Sequence, residues 1–418
     1  MRKYKLGDIA TVEISGVDKK IKDGEKEIRL CNFVDVYYKW AITTAQHDSF
    51  MLATARPNEI SKFKLKKGQV ALTKDSETRD DIGIPTYIAD DFDDAILGYH
   101  CALVTPNKDI LDGRYLNALL HTDYAKKYFA CNASGSGQRY ALSVEALNSF
   151  PVPIIPLHEQ KQIGEIFSAL DKKIELNKRI NQNLEAMAKQ LYDYWFVQFD
   201  FPDENGRPYK SSGGEMLWND KLKRNIPVGW HCGNLFEIAV FTNGLACQKF
   251  RPKDGEMPLP VIKIREMHDG ISIDTEEVTS NIPESVKVYN GDVLFSWSAS
   301  LEVMLWAYGL GGLNQHIFKV TSANDFPKSF YYFQLLDYVN VFKKMAEARK
   351  TTMGHITQDH LQQSTIAIPD NKDIADKFEK LISPIFKQIV KLQEEISNLI
   401  KQRDELLPLL MNGQITIE

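Results

Sequence analysis

The sequence lacks the features that mark membrane and secreted proteins. No apolar run approaches the roughly 18 residues that a membrane span requires, and the N-terminal MRKYKLGDIA has no apolar core of a signal peptide. The five cysteines form no CxxC pair; they are Cys31, Cys101, Cys131, Cys232 and Cys247. Reduced thiols in a cytoplasmic protein are the simplest interpretation of that distribution.

The sequence also lacks the motifs of common nucleotide-using and hydrolytic enzymes. It contains no GxGxxG, no GxxxxGK(S/T) and no Asp/Asn-Pro-Pro-aromatic motif, and His158-Glu159 does not continue to HExxH. Nuclease-like Asp-x-Lys pairs occur at 18–20 and 171–173, but chance explains them better in a chain this rich in lysine. These absences predict a protein with no catalytic centre and no metal site.

A surplus of positive charge is missing as well. The formal net charge is −5, so binding to nucleic acid would have to depend on local basic patches. Basic residues do cluster at 62–67 and 343–350, whereas residues 90–94 are acidic. The length of 418 residues and the hydrophobic content of 43% indicate a globular protein of two or more domains.

What the sequence does contain is an internal repeat. Four segments of the first half recur in order in the second: residues 5–10 at 234–239, 68–73 at 291–296, 100–104 at 316–320 and 142–147 at 356–361. The offsets drift slowly, being 229 (234 − 5), 223 (291 − 68), 216 (316 − 100) and 214 (356 − 142). Four matches in register predict two similar domains. Strands are expected at 70–72 and 293–295, and helices at 115–129 and 330–348.

Each half ends in a long apolar stripe with a seven-residue repeat. The first stripe holds Ile163, Leu170, Leu184 and Leu191 at one position and Phe167, Ile174, Ala188 and Trp195 at the other. The second holds Phe378, Ile385, Leu392, Leu399 and Leu406 at one position and Ile382, Ile389, Ile396 and Leu410 at the other. A single helix cannot bury so narrow a stripe, so the two helices are predicted to pack on each other as an antiparallel coiled coil.

Polar and aromatic residues interrupt these stripes. Asn177 and Asn181 fall on the first and Arg403 on the second, where polar residues usually fix the register. Pro384 predicts a kink or a late start of the second helix. Four aromatic residues end the first stripe: Tyr192, Tyr194, Trp195 and Phe196. One stripe cannot bury them all, so they form a partner site or pack under the segment that follows.

The predicted fold class is therefore α+β. Two mixed α/β domains form a tandem pseudo-twofold repeat, separated by two long helices packed as an antiparallel coiled coil. The expected boundaries are 1–156 for the first domain, 157–199 for its helix, 200–228 for a linker, 229–369 for the second domain and 370–418 for the last helix. The linker is indicated by its Pro, Gly, Asp, Asn and Ser content.

This layout resembles the specificity subunit of type I restriction–modification enzymes. Residues 155–163, IPLHEQKQI, are similar to the family's entry into its central helix. The exit is similar too, with LYDYWF from 191, GRPY from 206 and IPVGW from 226. FSWS at 295–298 and LNQH at 313–316 are similar to parts of the second recognition domain. The resemblance covers nearly the whole chain and is most specific over 155–230.

The resemblance implies a phage-defence protein that recognises DNA and catalyses nothing. Two target-recognition domains would each read one half of a split double-stranded site, and the paired helices would space them. The partners would be two methyltransferase subunits and restriction or motor subunits, which would bind S-adenosylmethionine, ATP and Mg²⁺. A helix of roughly 40 residues spans about 60 Å, enough to place two domains one DNA turn, about 34 Å, apart.

Loops at matching places in the two repeats are the candidate DNA contacts. After the central strands they are Lys74, Ser76 and Arg79 in the first half and Ser296, Trp297 and Ser298 in the second. Further on they are Ser136, Gln138, Arg139 and Tyr140, and their counterparts Arg349, Lys350, Thr351 and His355. Asn314, Gln315 and His316 complete the set. Ordinary strand-end turns, a flexible surface loop and a buried turn are the respective alternatives.

Two other functions stay open at this point. The chain could be a coiled-coil scaffold without DNA specificity, or a DNA-targeted nuclease. Salt-sensitive binding to duplex DNA would exclude the first, and cleavage or methylation by the isolated chain would support an enzyme.

Overall fold

The computed structural model describes residues 2–135, 139–298, 300–348 and 358–415, with only the main chain of 345–348. The chain divides into two compact units. The first comprises Met1–Glu175 and Leu399–Glu418, and the second comprises Leu176–Asn398. Each unit combines β-sheets with helices, which confirms the α+β class.

The first unit is built on a five-stranded mixed sheet. Its strands, in spatial order, are Ala10–Ile14, Cys101–Pro106, Val70–Thr73, Pro85–Ile88 and Ala41–Ile42. Its smaller sheets are Met51–Ala55 with Lys26–Cys31 and Ala95–Leu97, Ser134–Gly135 with Tyr140–Ala141 and Asp75–Ser76, and Arg2–Lys5 with Pro151–Ile154. Its shorter helices are Leu6–Ile9, Phe33–Val36, the 3-10 segment Thr44–Ser49, Pro57–Phe63, Gly113–Leu120, Asp123–Asn132 and Val144–Asn148.

The second unit is built on a four-stranded antiparallel sheet. Its strands, in spatial order, are Ala239–Asn243, Ile317–Ser322, Val293–Ser296 and Glu302–Leu305. The other strands form the sheet Glu277–Val278, Leu259–Ile262, Gly311–Leu313 and Lys287–Val288 and the pairs Trp230–Gly233 with Ile366–Pro369 and Met216–Asn219 with Arg224–Pro227. The shorter helices are Leu235–Ile238, Cys247–Lys249, Ile264–Asp269, Glu284–Val286, Lys328–Ala348 and Gln358–Gln362.

The strand registers reproduce the sequence repeat. In the first unit Val104 pairs with Val12 on one side and Val70 on the other. In the second unit Val320 pairs with Phe241 and with Val293. These partners differ by the offsets of the sequence matches: 229 (241 − 12), 223 (293 − 70) and 216 (320 − 104). The prediction of two similar domains is confirmed at the level of individual residue pairs.

The central strand of each unit starts from an equivalent glycine turn. Gly68 has φ of 98° and Gly291 has φ of 86°, a left-handed conformation that favours glycine because it has no Cβ. The strands that follow, Val70–Thr73 and Val293–Ser296, are buried along their whole length. A strand buried on both faces reads as a continuous apolar run, as both do here.

The two long helices are Leu157–Tyr192, which continues into the π-helical turn Asp193–Val197, and Asp373–Met411. In the first unit Ile163 and Phe167 share a hydrophobic cluster with Leu407 and Leu410. In the second unit the cluster contains the later residue Ala188 and the earlier residues Phe378 and Ile382. The start of each helix therefore packs with the end of the other, as expected for antiparallel packing.

Three local expectations are corrected. The helix expected at 115–129 is two helices, because Thr122 starts a new one by accepting a hydrogen bond from the Ala125 amide. Of the two expectations for Pro384, the late start is wrong, since the last helix already begins at Asp373, and the kink stays a prediction. Residues 200–228 are more ordered than a linker of turns: they contain a strand pair, and Phe201 and Ile226 are buried in the second unit's core.

Candidate nucleic-acid interface

A polar cleft of about 580 Å³ lies at the end of the first unit's central strand. Its lining residues are Phe33, Tyr37, Asp75, Ser76, Glu77, Thr78, Asp81, His100 and Arg139. Asp75–Ser76 pairs with Tyr140–Ala141, which pairs in turn with Ser134–Gly135. This small sheet brings Arg139, which is distant in sequence, beside the end of the central strand.

Asp75 is the hub of this cleft. Its carboxylate accepts two hydrogen bonds of 2.7 Å from the Lys74 ammonium and contacts Nδ1 of His100. Burial acts to raise the pKa of Asp75, but the hydrogen bonds from Lys74 and His100 outweigh it, so the pKa is lowered. Lys74 is thus engaged by an ionised Asp75, and only 19% of its side chain is exposed, which leaves little of it for DNA.

His100 connects Asp75 to Arg139. An Arg139 Nη2 lies 2.8 Å from Nδ1 and 2.9 Å from Nε2 of the imidazole. A guanidinium only donates, so the tautomer that satisfies both neighbours donates from Nδ1 to Asp75 and accepts from Arg139 at Nε2. The His100 backbone has φ of 67°, in the left-handed region. The Arg139 side chain is 58% exposed, and its contacts with His100 and Asp75 are made by Nη2.

Two further candidates stand at the same sheet. The Arg79 guanidinium lies 5.0 Å from the centre of the Tyr140 ring, a cation–π contact, and is exposed. Ser76 is half-buried, and its hydroxyl accepts a hydrogen bond from the Thr78 amide. The first unit therefore brings together five of the candidates: Lys74, Ser76, Arg79, Arg139 and Tyr140.

The second unit places different residues at the equivalent positions. Trp297 and Ser298 take the places of Lys74 and Asp75 by the offset of 223, and His316 takes the place of His100 by the offset of 216. The backbone contact is retained: the amide of residue 74 donates to the carbonyl of residue 100 at 2.9 Å, and that of 297 to 316 at 3.4 Å. The Trp297 and His316 rings are 5.7 Å apart, and Gln315 Nε2 lies 3.3 Å from His316 Nε2.

Three candidates of the second unit are buried instead of presented to a ligand. Ser296 is 0% exposed and donates to the Ser298 carbonyl, and Ser298 itself is 5% exposed. Asn314 is 8% exposed, and its side chain accepts a hydrogen bond from the His316 amide. For Asn314 the buried-turn alternative therefore applies. Trp297, Gln315 and His316 stay partly or fully accessible.

Six candidates lie outside the described residues: Ser136, Gln138, Arg349, Lys350, Thr351 and His355. Conversely, sequence reasoning missed Asp75 and His100, which organise the first cleft. A usable signal was present for His100, because the repeat aligns it with His316, which was singled out. The repeat also aligns Asp75 with a candidate, Ser298, but a serine there gives no indication of an ionic network.

The residues predicted to form the coiled coil are buried to different degrees. Fully buried are Ile163, Phe167, Ile174, Ala188, Trp195, Phe378, Ile382, Ile389, Leu392, Ile396, Leu399 and Leu410, and partly buried are Leu170, Leu184, Leu191, Ile385 and Leu406. Asn181 is also buried, and its Nδ2 donates to the Ile389 carbonyl at 3.3 Å. Of the two alternatives for the four aromatic residues, packing under the segment that follows applies to three: Tyr192, Trp195 and Phe196 lie in the core with Phe201 and Trp230, whereas Tyr194 is exposed.

Another part of the first long helix is exposed and apolar. Leu176, Ile180 and Met187 are 56%, 36% and 58% exposed. At about 100° per residue they lie within roughly 40° of each other around the helix axis, on one face. We call these three residues the exposed stripe. Exposed apolar residues aligned on one helix face are a candidate protein contact.

Two kinds of feature are absent from the described residues. No helix in the described ranges is both long and apolar enough to cross a membrane. Across the same residues, no group of three His, Cys, Asp or Glu side chains is placed to hold a metal ion.

The sequence matches the family of the type I restriction modification DNA specificity domain over residues 1–186 and 227–402. A type I restriction enzyme MjaIX specificity subunit of Methanocaldococcus jannaschii is 26% identical over 320 residues, 74% of this chain and 71% of that protein. The HindI specificity subunit of Haemophilus influenzae is 24% identical, over 85% of this chain and 88% of that protein. A crystal structure of an S subunit from M. genitalium shares the fold, with a TM-score of 0.60, 14% identity and coverage of 98% and 95%.

The two matched segments cover most of the chain and coincide with the two copies of the repeat. The protein belongs to the type I restriction–modification DNA specificity family. It is accordingly a DNA-recognition protein and not an enzyme, which confirms both predictions.

Proposed function

We propose that this chain reads a bipartite DNA site, one half with each unit. The observation that carries the proposal is the shared strand register, which presents residues 74–76 with 100 in one unit and 297–298 with 316 in the other at the same place. A common frame with different side chains suits two related surfaces that recognise different sequences. Base contacts supply sequence information, so the half-sites are expected to differ.

The long helices are proposed to set the spacer between the half-sites and to dock two methyltransferase subunits. The exposed stripe supports the docking surface, because an apolar face of this size on a helix is otherwise left in water. S-adenosylmethionine, ATP and Mg²⁺ would bind to the methyltransferase and to restriction or motor subunits. A protein acting through such partners is expected in the cytoplasm, together with the DNA.

Methylation mapping tests the DNA-reading proposal. The chain is combined with its methyltransferase subunit and a library of random duplexes, and methylated adenines are located by sequencing. The expected result is a motif of two specified parts separated by an unspecified gap. A continuous motif would contradict the bipartite proposal, and methylation independent of sequence would contradict DNA specificity altogether.

Native mass spectrometry of the same complex should show two methyltransferases per chain, and one at saturation would contradict the docking model.

A heptad insertion tests the spacer role. Asn181 contacts Ile389, so seven residues are inserted after Asn183 and seven in the second helix near Ile389. Seven residues preserve the stripe and lengthen each helix by about 10.5 Å, roughly three base pairs. Methylation mapping should show a longer gap with unchanged half-sites. A matched four-residue insertion is the control, because it rotates the stripe out of register. Changed half-sites with a constant gap would contradict the spacer role.

A further inference from the structure

The cleft of the first unit carries more negative than positive groups. Arg139 lines it together with the carboxylates Asp75, Glu77 and Asp81, and Lys74, which is not a lining residue, binds Asp75. Tyr38 donates a hydrogen bond of 2.8 Å to Asp81. A DNA phosphate entering this cleft would meet three acidic side chains, and Lys74 is already engaged by Asp75. The cleft is therefore poorly suited to phosphate, although it contains the exposed Arg139.

The uncharged edge of a base pair fits the cleft better. Guanine offers two acceptors, O6 and N7, in the major groove, and an arginine fork matches that pair. Cytosine offers its amino group as a donor, which Asp or Glu accepts. An arginine beside carboxylates is thus complementary to a G·C pair, whereas the acidic groups oppose a phosphate contact.

Arg139 is also held in place for such a contact. His100 accepts from Arg139 Nη2 at 2.9 Å and is fixed on its other side by Asp75, whose residue is 7% exposed. A guanidinium anchored at one nitrogen loses less rotamer freedom when it binds, because part of that entropy was lost on folding. At the positions equivalent to Lys74, Asp75 and His100, the second unit has Trp297, Ser298 and His316.

We infer that Arg139 is a specificity-determining residue that reads a guanine in one half-site, with His100 and Asp75 as its positioning residues. This inference rests on the proposed function. It differs from a phosphate contact in what a substitution changes. Loss of a base contact relaxes the sequence preference at one position of the site. Loss of a phosphate contact weakens binding to all sequences, and the slope of log affinity against log salt concentration becomes shallower by about 0.9.

The experiment compares Arg139→Ala and Arg139→Lys in the complex with methyltransferase. Motifs are mapped on the random duplex library, and affinity for the wild-type site is measured at several salt concentrations. Lysine keeps the charge but cannot form the two parallel hydrogen bonds of a guanidinium. Both variants should therefore reduce the preference for G·C at one position of the site by roughly 5- to 100-fold. The salt dependence should stay unchanged. Arg56→Lys is the matched control, since Arg56 is 63% exposed in the same unit and paired with Glu59.

The positioning role is tested with His100→Asn and Asp75→Asn. Asparagine tolerates the positive φ of residue 100. Both variants should relax the same position as Arg139→Ala, which a general loss of stability would not do; melting temperatures check the folding. A uniform loss of affinity with a lower salt dependence, or relaxation at a different position, would overturn the inference. If the wild-type complex shows no sequence motif, the proposed function fails instead.

Discussion

The two units share a backbone frame but differ in the chemistry at the end of their central strands. One presents Arg139 within an ionic network around Asp75; the other presents Trp297 and His316, whose rings are 5.7 Å apart. The strands that carry these residues pair in equivalent registers. Buried strands tolerate little change because a one-residue slip would reverse every side chain, whereas strand-end residues can vary freely. Under the proposed function, such a division would let one fold read two sequences.

The two long helices differ in a similar way. By the offset of 215 (378 − 163), the buried Asn181 of the first helix corresponds to Ile396 of the second, and Asn177 corresponds to Leu392. The exposed stripe of Leu176, Ile180 and Met187 corresponds to Lys391, Glu395 and Gln402. The first helix therefore has a more polar buried face and a more apolar exposed one. The two expected methyltransferase contacts cannot be chemically identical.

The largest expected effect is a loss of stability on truncating a core residue. Leu72 and Phe295 occupy equivalent core positions, and both are fully buried. Phe295 stacks near Phe318 and Phe342, so Phe295→Ala should lower the free energy of unfolding by about 3–5 kcal/mol. Leu72→Ala should cost about 2–5 kcal/mol, and less than Phe295→Ala. Urea unfolding measures both, with the exposed Val240→Ala as control. If Leu72→Ala costs more, the two cores are not packed equivalently.

A smaller effect concerns pH and the buried His121 of the first unit. Burial lowers the pKa of His121 to about 3, with the charges of Arg403 and Lys126 contributing, so the folded ring stays neutral where the unfolded ring is protonated. The free energy of unfolding should therefore fall as pH drops from about 6.5 to about 3, by at most about 1.4 kcal/mol per unit from this group. The contribution of Asp337 in the second unit to the pH dependence of stability has the opposite sign, because burial raises the pKa of this carboxyl.

His121→Gln isolates that contribution. Glutamine can stay against Trp40, whose ring stacks on His121 at 4.3 Å, but does not titrate. Urea unfolding between pH 4 and 7 should show a shallower pH dependence than wild type. His158→Gln serves as control, since the His158 side chain is 76% exposed. An unchanged slope in His121→Gln would exclude the ring as the source.

The smallest effect comes from making the helices more alike. Asn181 donates to Ile389, but its Oδ1 is buried without a hydrogen-bond partner among the described residues. Asn181→Ile copies the residue at 396 and should raise the free energy of unfolding by about 1 kcal/mol, since an unsatisfied buried group costs about 1–3 kcal/mol. Asn183→Ile, at an exposed site of the same helix, should leave it within about 0.5 kcal/mol. Destabilisation by Asn181→Ile would show that the amide is required there.

Sequence reasoning succeeded where a pattern extends over many residues. The heptad residues from Ile163 to Leu410 are buried or partly buried, and the drifting offsets reproduce the observed pairing of Val104 and Val320. The periodicity of apolar residues predicts burial directly, because these residues recur at the spacing that places them on the face of the helix or strand that packs against the core. Local chemistry was less visible. Ser296 and Asn314 resemble surface contacts in sequence, yet the fold buries both.

The sequence by itself determined the family, the tandem repeat and the pairing of two apolar helices, since each follows from order and spacing along the chain. Only the tertiary structure decided which polar groups meet. Asp75, His100 and Arg139 are separated by 25 and 39 residues (100 − 75 and 139 − 100); a small sheet brings the neighbours of Arg139 to Asp75, and His100 contacts both residues. No local spacing encodes that contact. The aromatic group at Tyr192–Phe196 was likewise decided by packing, because Phe201 and Trp230 return to cover it.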